Sequence, residues 1–572
     1  MVVLGLSNMR DAAAALVDNG RIIAAAEEER FARTKHVTAL PVGAIRYCLQ
    51  QAGVRLCDLD AVAVPWKFWQ IGRRVGLAVG SMLRSPQLFL VKGKRSAERS
   101  VEWKELALLR RTLSNRIDGT HSPAPVFLDH HICHAASAVL TAPFDSSAVL
   151  VADGASEAHT TTLARAGPRR IDILKRVRLP HSLGQFYAAI TAYLGFKPDQ
   201  DEYIVMGLAA YGEPLFARQL GSEVLKLLPD GAFQLNTGLL DFHLARERIF
   251  VRQFVDLFGP ARLPGEDVTQ RHRDMAASAQ LVIENTLLHL ARHLKASTRD
   301  DRLCLVGGVA YNCVANSRIF REAGFREVYV PPAAGDSGAA LGAALWLSSR
   351  RGADADRTPM KSAAWGPEYD DAVCRRELEG AGLCIEHLPD DMLFDKVAGE
   401  LANGRLVCWF QGRMEWGPRA LGNRSLLADP RREDMRALIN AKVKLREPFR
   451  PFAPSVLKER VHEFFDLPCP SPFMAFTAPV LAAAKGSIPA VLHVDGTARV
   501  QTVDESNPRY RALLEAFDRR TGVPVLLNTS FNVNEPIVCT PADAVRCFLR
   551  TDVDWLVMGN LLASRPLVHR VG

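Results

Sequence analysis

The sequence predicts an α/β protein of two or more domains, and three features lead to this prediction. A strand–loop–hairpin pattern occurs at the N-terminus and recurs near residue 148. A strand followed by two glycines and a helical stretch begins near residue 302. A segment poor in periodic apolar positions then separates this part of the chain from a second strand-rich block.

The first strand–loop–hairpin pattern lies within residues 2–26. Val2–Ser7 is a short apolar run typical of a buried strand. Ala12–Val17 and Arg21–Ala26 flank Asp18-Asn19-Gly20, in which the Asn-Gly pair favours a tight turn with positive φ. These two runs are therefore predicted to form a hairpin.

The second pattern repeats this order. Ala148–Ala152 is a strand candidate, Asp153–Glu157 is a polar loop, and Thr160–Ala164 is the next strand candidate. Arg302–Val306 then leads into Gly307-Gly308 and a helix that begins near Asn312. The repetition favours a duplicated α/β core with a phosphate-holding cleft, and two unrelated βαβ pieces are the alternative.

A change of composition marks the predicted domain boundary. Residues 346–366 are rich in Ser, Arg, Asp, Pro and Gly, which predicts a linker. The second block begins near Pro367, with strands expected at Arg405–Phe410, Pro524–Leu527 and Trp555–Met558. We therefore expect one domain over residues 1–355 and another over residues 356–572.

Composition excludes several protein classes. Of 572 residues, 48% are hydrophobic and 23% are charged, which excludes a disordered or coiled-coil chain. The net charge is +8, but residues 66–116 hold twelve Lys/Arg against three Asp/Glu. The rest of the chain is therefore near neutral, which argues against a nucleic-acid-binding coat.

The basic segment, residues 66–116, allows two interpretations. Aromatic residues between its cations could stack on nucleic-acid bases or sugars: Trp66, Phe68, Trp69, Phe89 and Trp103. An amphipathic helical insert, serving as a lid over an acceptor site, is the favoured interpretation.

The cysteines and the apolar runs indicate the cellular compartment that we expect for the protein. The eleven cysteines are scattered and form no Cys-x-x-Cys motif, which favours reduced thiols in a cytoplasmic protein. The run Met1–Ser7 lacks the basic region of a signal peptide. No apolar run reaches the about 18 residues of a membrane span.

A candidate metal site begins with two histidines. His130 and His134 are four residues apart and would share one face of a helix. Asp153 follows an apolar strand, and Asp336 lies in the glycine-flanked segment 335–338. Two imidazoles and two carboxylates suit Fe, Mn or Zn, and the ligands alone do not choose among them.

The two glycines at 307–308 form a candidate nucleotide site. Gly307 and Gly308 between a strand and a helix would let a ligand approach the backbone, and the helix N-terminus would offer free N–H groups. Asn312 and Asn316 are four residues apart and are predicted to face the same side. Tight strand–helix packing is the alternative explanation of the glycines.

Arginines in Gly- and Pro-rich loops characterise the second block. Residues 412–425 contain Arg413, Arg419 and Arg424, and residues 444–452 contain Lys444, Arg446 and Arg450. Guanidinium groups in such loops commonly grip phosphate oxygens. Two later polar loops, 493–499 and 528–532, extend the pattern, so we expect an anion-binding second domain.

These motifs together resemble the NodU/CmcH-type O-carbamoyltransferases over nearly the whole chain. Two motifs lie in the first 140 residues, Ala26–Phe31 with Lys35-His36, and His130–Ser137. The others are Val205–Gly212, the Gly307-Gly308 turn and the two arginine loops.

The resemblance implies two active sites. The N-terminal domain would be TsaD-like, of the actin-like ATPase superfamily, with an iron ion, or Zn or Mn, at His130, His134, Asp153 and Asp336. The C-terminal domain would be YrdC-like and would convert carbamoyl phosphate and Mg-ATP to carbamoyladenylate. Its phosphate and nucleotide contacts would be the following residues: Arg419, Arg424, Lys444, Arg450, Arg499, Asn528 and Ser530.

The implied acceptor is a hydroxyl group of a small molecule. The expected acceptor is a natural product or a sugar. No nucleic-acid partner and no membrane span are expected, and the oligomeric state is left open, with a homodimer as one possibility. A tRNA threonylcarbamoylation-type enzyme and a catalytically inactive metal- and nucleotide-binding regulatory protein are the alternatives. The charge confined to one segment argues against the first, and the complete arginine loops argue against the second.

Two positions depart from the family pattern. Arg10-Asp11 stands where the family has His-Asp, and the family histidine is a candidate base. Arginine stays protonated and has no acceptor lone pair, so Arg10 is expected to bind the intermediate or an acidic acceptor. Asp11 is the nearest candidate base, and proton loss late to the departing phosphate is the alternative. Ile204 replaces a common Lys.

Overall fold

The chain divides into two compact units. The computed structural model describes residues 1–70, 72–82, 104–167, 169–240, 249–352, 359–444, 446–447 and 449–566. The first unit comprises Met1–Glu28 and His36–Met360, and the second comprises Glu29–Lys35 and Lys361–Gly572. A short N-terminal segment is therefore part of the second unit.

The first unit contains a five-stranded sheet of mixed direction, with strand order β3-β2-β1-β4-β5. The central strand β1 pairs antiparallel with β2 and parallel with β4. The outer pairs are β2–β3, antiparallel, and β4–β5, parallel. The bounds are β1 Val2–Ser7, β2 Ala13–Asp18, β3 Arg21–Glu27, β4 Ala61–Val64 and β5 Pro125–Phe127.

A second five-stranded sheet of this unit has the order β12-β11-β6-β7-β8. Its central strand β6 pairs antiparallel with β7 and parallel with β11. The outer pairs are β7–β8, antiparallel, and β11–β12, parallel. Order and directions therefore match those of the first sheet. The bounds are β6 Ser147–Ala152, β7 His159–Gly167, β8 Arg170–Arg178, β11 Arg302–Val306 and β12 Glu327–Tyr329, and a separate ribbon contains β9 Leu225–Leu228 and β10 Ala232–Leu235.

Helices of the first unit pack on these sheets through small apolar residues. Ala135, Ala138 and Val139 of helix α4 share a buried cluster with Val149 and Val151 of β6. Apolar burial of this kind fixes the helix against the sheet. The bounds are α1 Val42–Ala52, α2 Gly72–Met82, α3 Leu109–Arg116, α4 His130–Val139, α5 Leu183–Tyr193, α6 Glu202–Ala209, a single turn Ala217–Gln219, α7 Arg252–Phe258, α8 Gln270–Thr298, α9 Cys313–Glu322 and α10 Asp336–Arg350.

The second unit is built on a nine-stranded mixed sheet with the order β13-β21-β20-β14-β15-β19-β16-β18-β17. Strands β14 and β15 pair antiparallel at its centre, and β15 pairs antiparallel with β19. The bounds are β13 Cys384–His387, β14 Val407–Phe410, β15 Arg424–Ala428, β16 Ala453–Leu457, β17 Phe476–Pro479, β18 Thr497–Val503, β19 Val525–Ser530, β20 Trp555–Met558 and β21 Leu561–Ser564.

Two helices cover one face of this sheet. Phe394 of α12 and Phe517 of α14 pack with Trp409 of β14 in one buried cluster. The bounds are a single turn Glu29–Ala32, α11 Asp371–Gly380, α12 Asp390–Ala402, α13 Met435–Ile439, α14 Pro508–Thr521 and α15 Pro541–Leu549.

The structure confirms the mixed α/β class and the N-terminal hairpin, where Asp18 pairs with Arg21 across Asn19-Gly20. The expectation of a linker from residue 346 is wrong in its first five residues. Helix α10 continues to Arg350, because Leu347 and Ser348 are buried and extend its packed face.

Several of the sequence predictions concern residues that lie outside the described ranges. In the basic segment, residues 71 and 83–103 are not described, and they include Phe89 and Trp103. Helices α2 and α3 lie in the described parts of this segment. Residues 353–358 of the linker and residues 445 and 448 are also outside. Within the described ranges, no helix has both the length and the apolar character needed to span a membrane.

Candidate functional site

Helix α4 presents both candidate histidine ligands. The Asp129 side chain caps its N-terminus by accepting a hydrogen bond from Ile132 N at 3.0 Å. Arg176 donates to both carboxylate oxygens of Asp129 at 2.9 Å, which fixes the cap. His130 and His134 then lie on one buried face of α4.

The predicted four-residue cluster is brought together in the first unit. One ligating atom from each of His130, His134, Asp153 and Asp336 lies within 4.8 Å of the others. The two Nε2 atoms are 3.0 Å apart. The Nε2 of His130 lies 3.4 Å from Asp153 Oδ2 and 3.4 Å from Asp336 Oδ1. This spacing fits one ion among four donors.

Hydrogen bonds orient the first histidine. Nδ1 of His130 lies 2.9 Å from Pro65 O, so it donates to this carbonyl and leaves Nε2 as the ligating atom. Burial lowers the pKa of His130, but hydrogen bonds to Asp153 and Asp336 outweigh it and hold that pKa well above the usual value. Burial opposes ionisation of Asp336, yet its histidine partners lower its pKa to about 2. The cluster therefore favours ionised carboxylates.

Close backbone packing sets the positions of the two aspartates. A Cβ on Gly342 of α10 would collide with Cys133 O on α4, so this glycine lets the two helices meet. Gly307 has φ of 95° and packs against Ala152 in the same way. Gly308 N donates to Asp153 Oδ1 at 3.1 Å. The Gly-Gly turn thus positions a candidate ligand.

The side chains of the two asparagines after this turn form hydrogen bonds inside the protein. Asn312 caps α9 through Ala315 N and exchanges amide hydrogen bonds with Gln280. Asn316 is buried and donates to Ala310 O at 2.8 Å. The two side chains therefore hold the turn and helix α9 together.

The loop after β1 contains the other predicted catalytic residues. Arg10 Nη1 lies 3.4 Å from Asp199 Oδ1, and Asp11 Oδ1 lies 2.8 Å from His36 Nδ1. Burial raises the pKa of Asp11, with His36 and Arg10 opposing it and Asp336 adding to it. The sequence places His36 in a family motif but does not indicate its role, because its contact with Asp11 spans 25 residues.

In the second unit, the guanidinium of Arg424 is completely buried. Nη1 donates to Gln411 O and Asn423 O at 2.7 and 3.0 Å, and Nη2 donates to Pro367 O and Gly412 O at 3.0 Å each. The guanidinium also lies over the Phe410 ring, 3.7 Å from its centroid. Burial lowers the pKa of Arg424. Its hydrogen bonds hold the arginine loop.

The ammonium of Lys444 lies in a neutral cradle. Nζ donates to Ser530 O at 2.5 Å and to Asn532 O and Asn532 Oδ1 at 2.8 Å. Burial lowers its pKa from 10.5 to about 7. Neutral oxygens compensate a buried charge only in part, so an anion near Lys444 would be strongly attracted.

The remaining predicted residues of the second unit lie in strands and in loops: Asn528 in β19, Arg499 in β18, and Arg419 and Arg450 in loops. Asn528 is buried and donates to Ser455 Oγ and Gln501 Oε1 at 3.0 Å each. Arg450 pairs with Glu447 at 3.6 Å. Arg419 and Arg499 are half-buried and retain partial access to solvent.

Two contributors were missed from the sequence. Glu415 Oε1 accepts hydrogen bonds from the backbone N–H groups of Leu421, Asn423 and Arg424, which folds the arginine loop around one carboxylate. Arg33, in the N-terminal segment of the second unit, donates to Pro536 O and Ile537 O at 2.7 Å each. The Arg33 contacts join residues 503 and 504 positions apart, and the Glu415 contacts lie within an irregular loop that has no periodic pattern, so the sequence did not indicate either.

Family models account for most of the chain. The model described as carbamoyltransferase N-terminus matches residues 2–345, and the model described as carbamoyltransferase C-terminus matches residues 398–565. The chain belongs to the carbamoyltransferase family. It is therefore an enzyme of the transferase class, and the family resemblance expected from the motifs is confirmed.

Relatives align over nearly the full length. The protein sll1178 of Synechocystis is 41% identical over 98% of this chain and 96% of its own length. Nodulation protein NolNO of Sinorhizobium fredii is 40% identical over 97% of this chain and 79% of its own. A solved structure of full-length HypF aligns with 62% of this chain and 56% of its own, at 12% identity and a TM-score of 0.34, a likeness too low for inference.

Proposed function

We propose that this carbamoyltransferase makes carbamoyladenylate from carbamoyl phosphate and Mg-ATP, and then carbamoylates a hydroxyl group of a small molecule. The observation that carries the proposal is the buried cluster of His130, His134, Asp153 and Asp336, whose ligating atoms lie within 4.8 Å of one another. A natural product or sugar alcohol is the proposed acceptor class.

The donor set fits a divalent transition metal, and we propose iron(II), with Zn or Mn as alternatives. Two neutral imidazoles and two carboxylates form an N₂O₂ set, and the carbonyl of Pro65 fixes one imidazole from outside. A bound cation would neutralise phosphoryl oxygen charge and polarise the carbamoyl carbonyl. Asp153 is also tethered by Gly308 N, so the ligand side chains are positioned by the fold.

Adenylate formation is assigned to the second unit. Carbamoyl phosphate and ATP are polyanions, and this unit offers three cationic side chains besides Lys444: Arg419 and Arg450 in loops, and Arg499 in strand β18. Water would first cleave carbamoyl phosphate, forming a bond to the carbamoyl carbon while inorganic phosphate leaves with the electron pair of the broken C–O bond. An oxygen of the resulting carbamate would then attack the α-phosphorus of ATP, and pyrophosphate would leave with its bonding electrons. Arg424 would support this reaction through the loop that it holds.

We also infer that the first unit is a duplicated, actin-like core and that the second is YrdC-like. The two five-stranded sheets support the first inference, since they share strand order and directions. The site residues follow equivalent strands. Asp11 lies after β1 and Asp153 lies after β6, which are the central strands of the two sheets.

Two half-reactions test the proposal. Purified enzyme should catalyse ATP–pyrophosphate exchange that depends on carbamoyl phosphate and needs no RNA. A panel of hydroxylated metabolites, screened by mass spectrometry, should contain an acceptor that gains one carbamoyl group. Exchange without carbamoyl phosphate, or a requirement for tRNA and threonine, would refute the proposal.

His130→Ala separates the two sites. This variant should lose the metal and the transfer step while it retains pyrophosphate exchange, because its ligand atom belongs to the first unit. His121→Ala, at an exposed histidine of the same unit, is the matched control. Unchanged metal content in His130→Ala by elemental analysis would contradict the assignment.

A further inference from the structure

The contact between Asp11 and His36 joins two residues in an uncommon backbone conformation. Asp11 has φ of 65° and His36 has φ of 55°. Left-handed backbone is disfavoured for residues with a Cβ, and it is found where surrounding structure maintains it, often at functional sites. Asp199, the ion-pair partner of Arg10, has φ of 64°. Three such residues therefore belong to two neighbouring polar pairs of the first unit.

Backbone hydrogen bonds hold the pair in register. Ala12 N donates to Val37 O at 2.8 Å, and Glu28 N donates to Ala12 O at 2.8 Å. The residues that follow Asp11 and His36 are thus directly connected. The side chain of His36 is 28% exposed and that of Asp11 is 31% exposed. The imidazole side chain is therefore partly accessible to solvent.

Asp11 follows strand β1, and Gly5 of β1 packs closely against Ala340 of α10, the helix that begins at the candidate ligand Asp336. The charge of Asp336 contributes to the raised pKa of Asp11, after burial as the main cause. Tyr311 is influenced by the charge of Asp11 and hydrogen-bonds Gly335 and Ser337, the neighbours of Asp336. The pair and the candidate ligand Asp336 consequently share one region of the first unit.

We propose that His36 is the general base of carbamoyl transfer and that Asp11 is the positioning residue that orients its imidazole. Asp11 engages Nδ1, so the proton on Nδ1 is donated to the carboxylate and Nε2 is left as the acceptor. Arg10 cannot take this role, because a guanidinium has no acceptor lone pair. The inference rests on the proposed transfer to a hydroxyl group.

The acceptor oxygen forms a bond to the carbamoyl carbon while its proton moves to Nε2 of His36. The bond from the carbamoyl carbon to the adenylate phosphate oxygen breaks, and AMP leaves with the electron pair. The imidazolium then returns its proton to solvent. The carboxylate of Asp11 stabilises the imidazolium in between.

The test compares the half-reactions in His36→Ala, with preformed carbamoyladenylate and three probes as acceptors: water, ethanol and trifluoroethanol. Transfer to ethanol should fall about 100-fold or more, and pyrophosphate exchange should change less than twofold. The loss should be smaller for trifluoroethanol, since a more acidic alcohol depends less on a base. Added imidazole should restore part of the rate, while His121→Ala should behave as wild type.

Asp11→Asn gives an independent measurement. It should lower transfer about tenfold or more through misorientation of the imidazole, and added imidazole should not restore it. Three results would overturn the proposal. The first is a wild-type rate of transfer in His36→Ala, and the second is an equal fall of transfer and pyrophosphate exchange in that variant. The third is a loss of transfer that added imidazole does not restore and that does not depend on the acidity of the alcohol. Absence of pyrophosphate exchange in wild type would instead refute the proposed function.

Discussion

Replacement of Arg424 should test whether this arginine of segment 412–425 binds phosphate or stabilises the fold. Its guanidinium donates to four backbone carbonyls, and Arg424→Ala would leave them buried without those partners. At about 1 kcal/mol for each unsatisfied carbonyl, the low end of the usual range, the free energy of unfolding should fall by about 4 kcal/mol. Arg424→Lys keeps the charge but cannot reach all four carbonyls, so about 2 kcal/mol is expected.

The matched control is Arg419→Ala, at a half-buried arginine of the same loop. It should change stability by less than about 0.5 kcal/mol and should still weaken pyrophosphate exchange. Denaturant unfolding measures the stability, and hydrogen exchange in β14 and β15 locates the loss. If Arg424→Lys kept wild-type stability and protection but lost pyrophosphate exchange, the guanidinium would contact ligand and the structural role would be refuted.

Two further perturbations follow from burial and packing. The pKa of Lys444 is lowered from 10.5 to about 7, so a polyanion that requires the ammonium should bind with proton uptake, and its affinity should fall above pH 7. Because the unfolded chain binds the extra proton, this group raises the free energy of unfolding as pH rises from about 7 to 10.5. Calorimetry in buffers of different ionisation enthalpy checks the uptake, and an unchanged uptake in Lys444→Met would contradict it. Gly342→Ala should push α10 from α4 and lower metal content without removing a ligand, whereas Gly380→Ala, whose Cβ would meet nothing, should not. Equal metal content in both would contradict the packing argument.

Local sequence patterns predicted the elements that depend on neighbours in the chain. The Asn-Gly turn between β2 and β3, the buried strand β1 and the strand Trp555–Met558 were all predicted, because turn conformation and strand periodicity are local properties. The linker prediction failed at residues 346–350, where the buried side chains of Leu347 and Ser348 outweigh the local composition.

The candidate site shows the same division. The spacing of His130 and His134 on one helix follows from the sequence, since 3.6 residues per turn place them on one face. Their distances to Asp336 depend on how α4 and α10 pack through Gly342, and their distances to Asp153 depend on how α4 packs on β6. In the tertiary structure the polar groups of Arg424 and Asn312 bond to interior partners, although both belong to segments with the composition of ligand sites. The sequence by itself determined the family, the α/β class and the chemical types available. Only the tertiary structure decided which of those side chains share a site, because the contact of Asp11 with His36 and the four-residue cluster both join segments far apart in the chain.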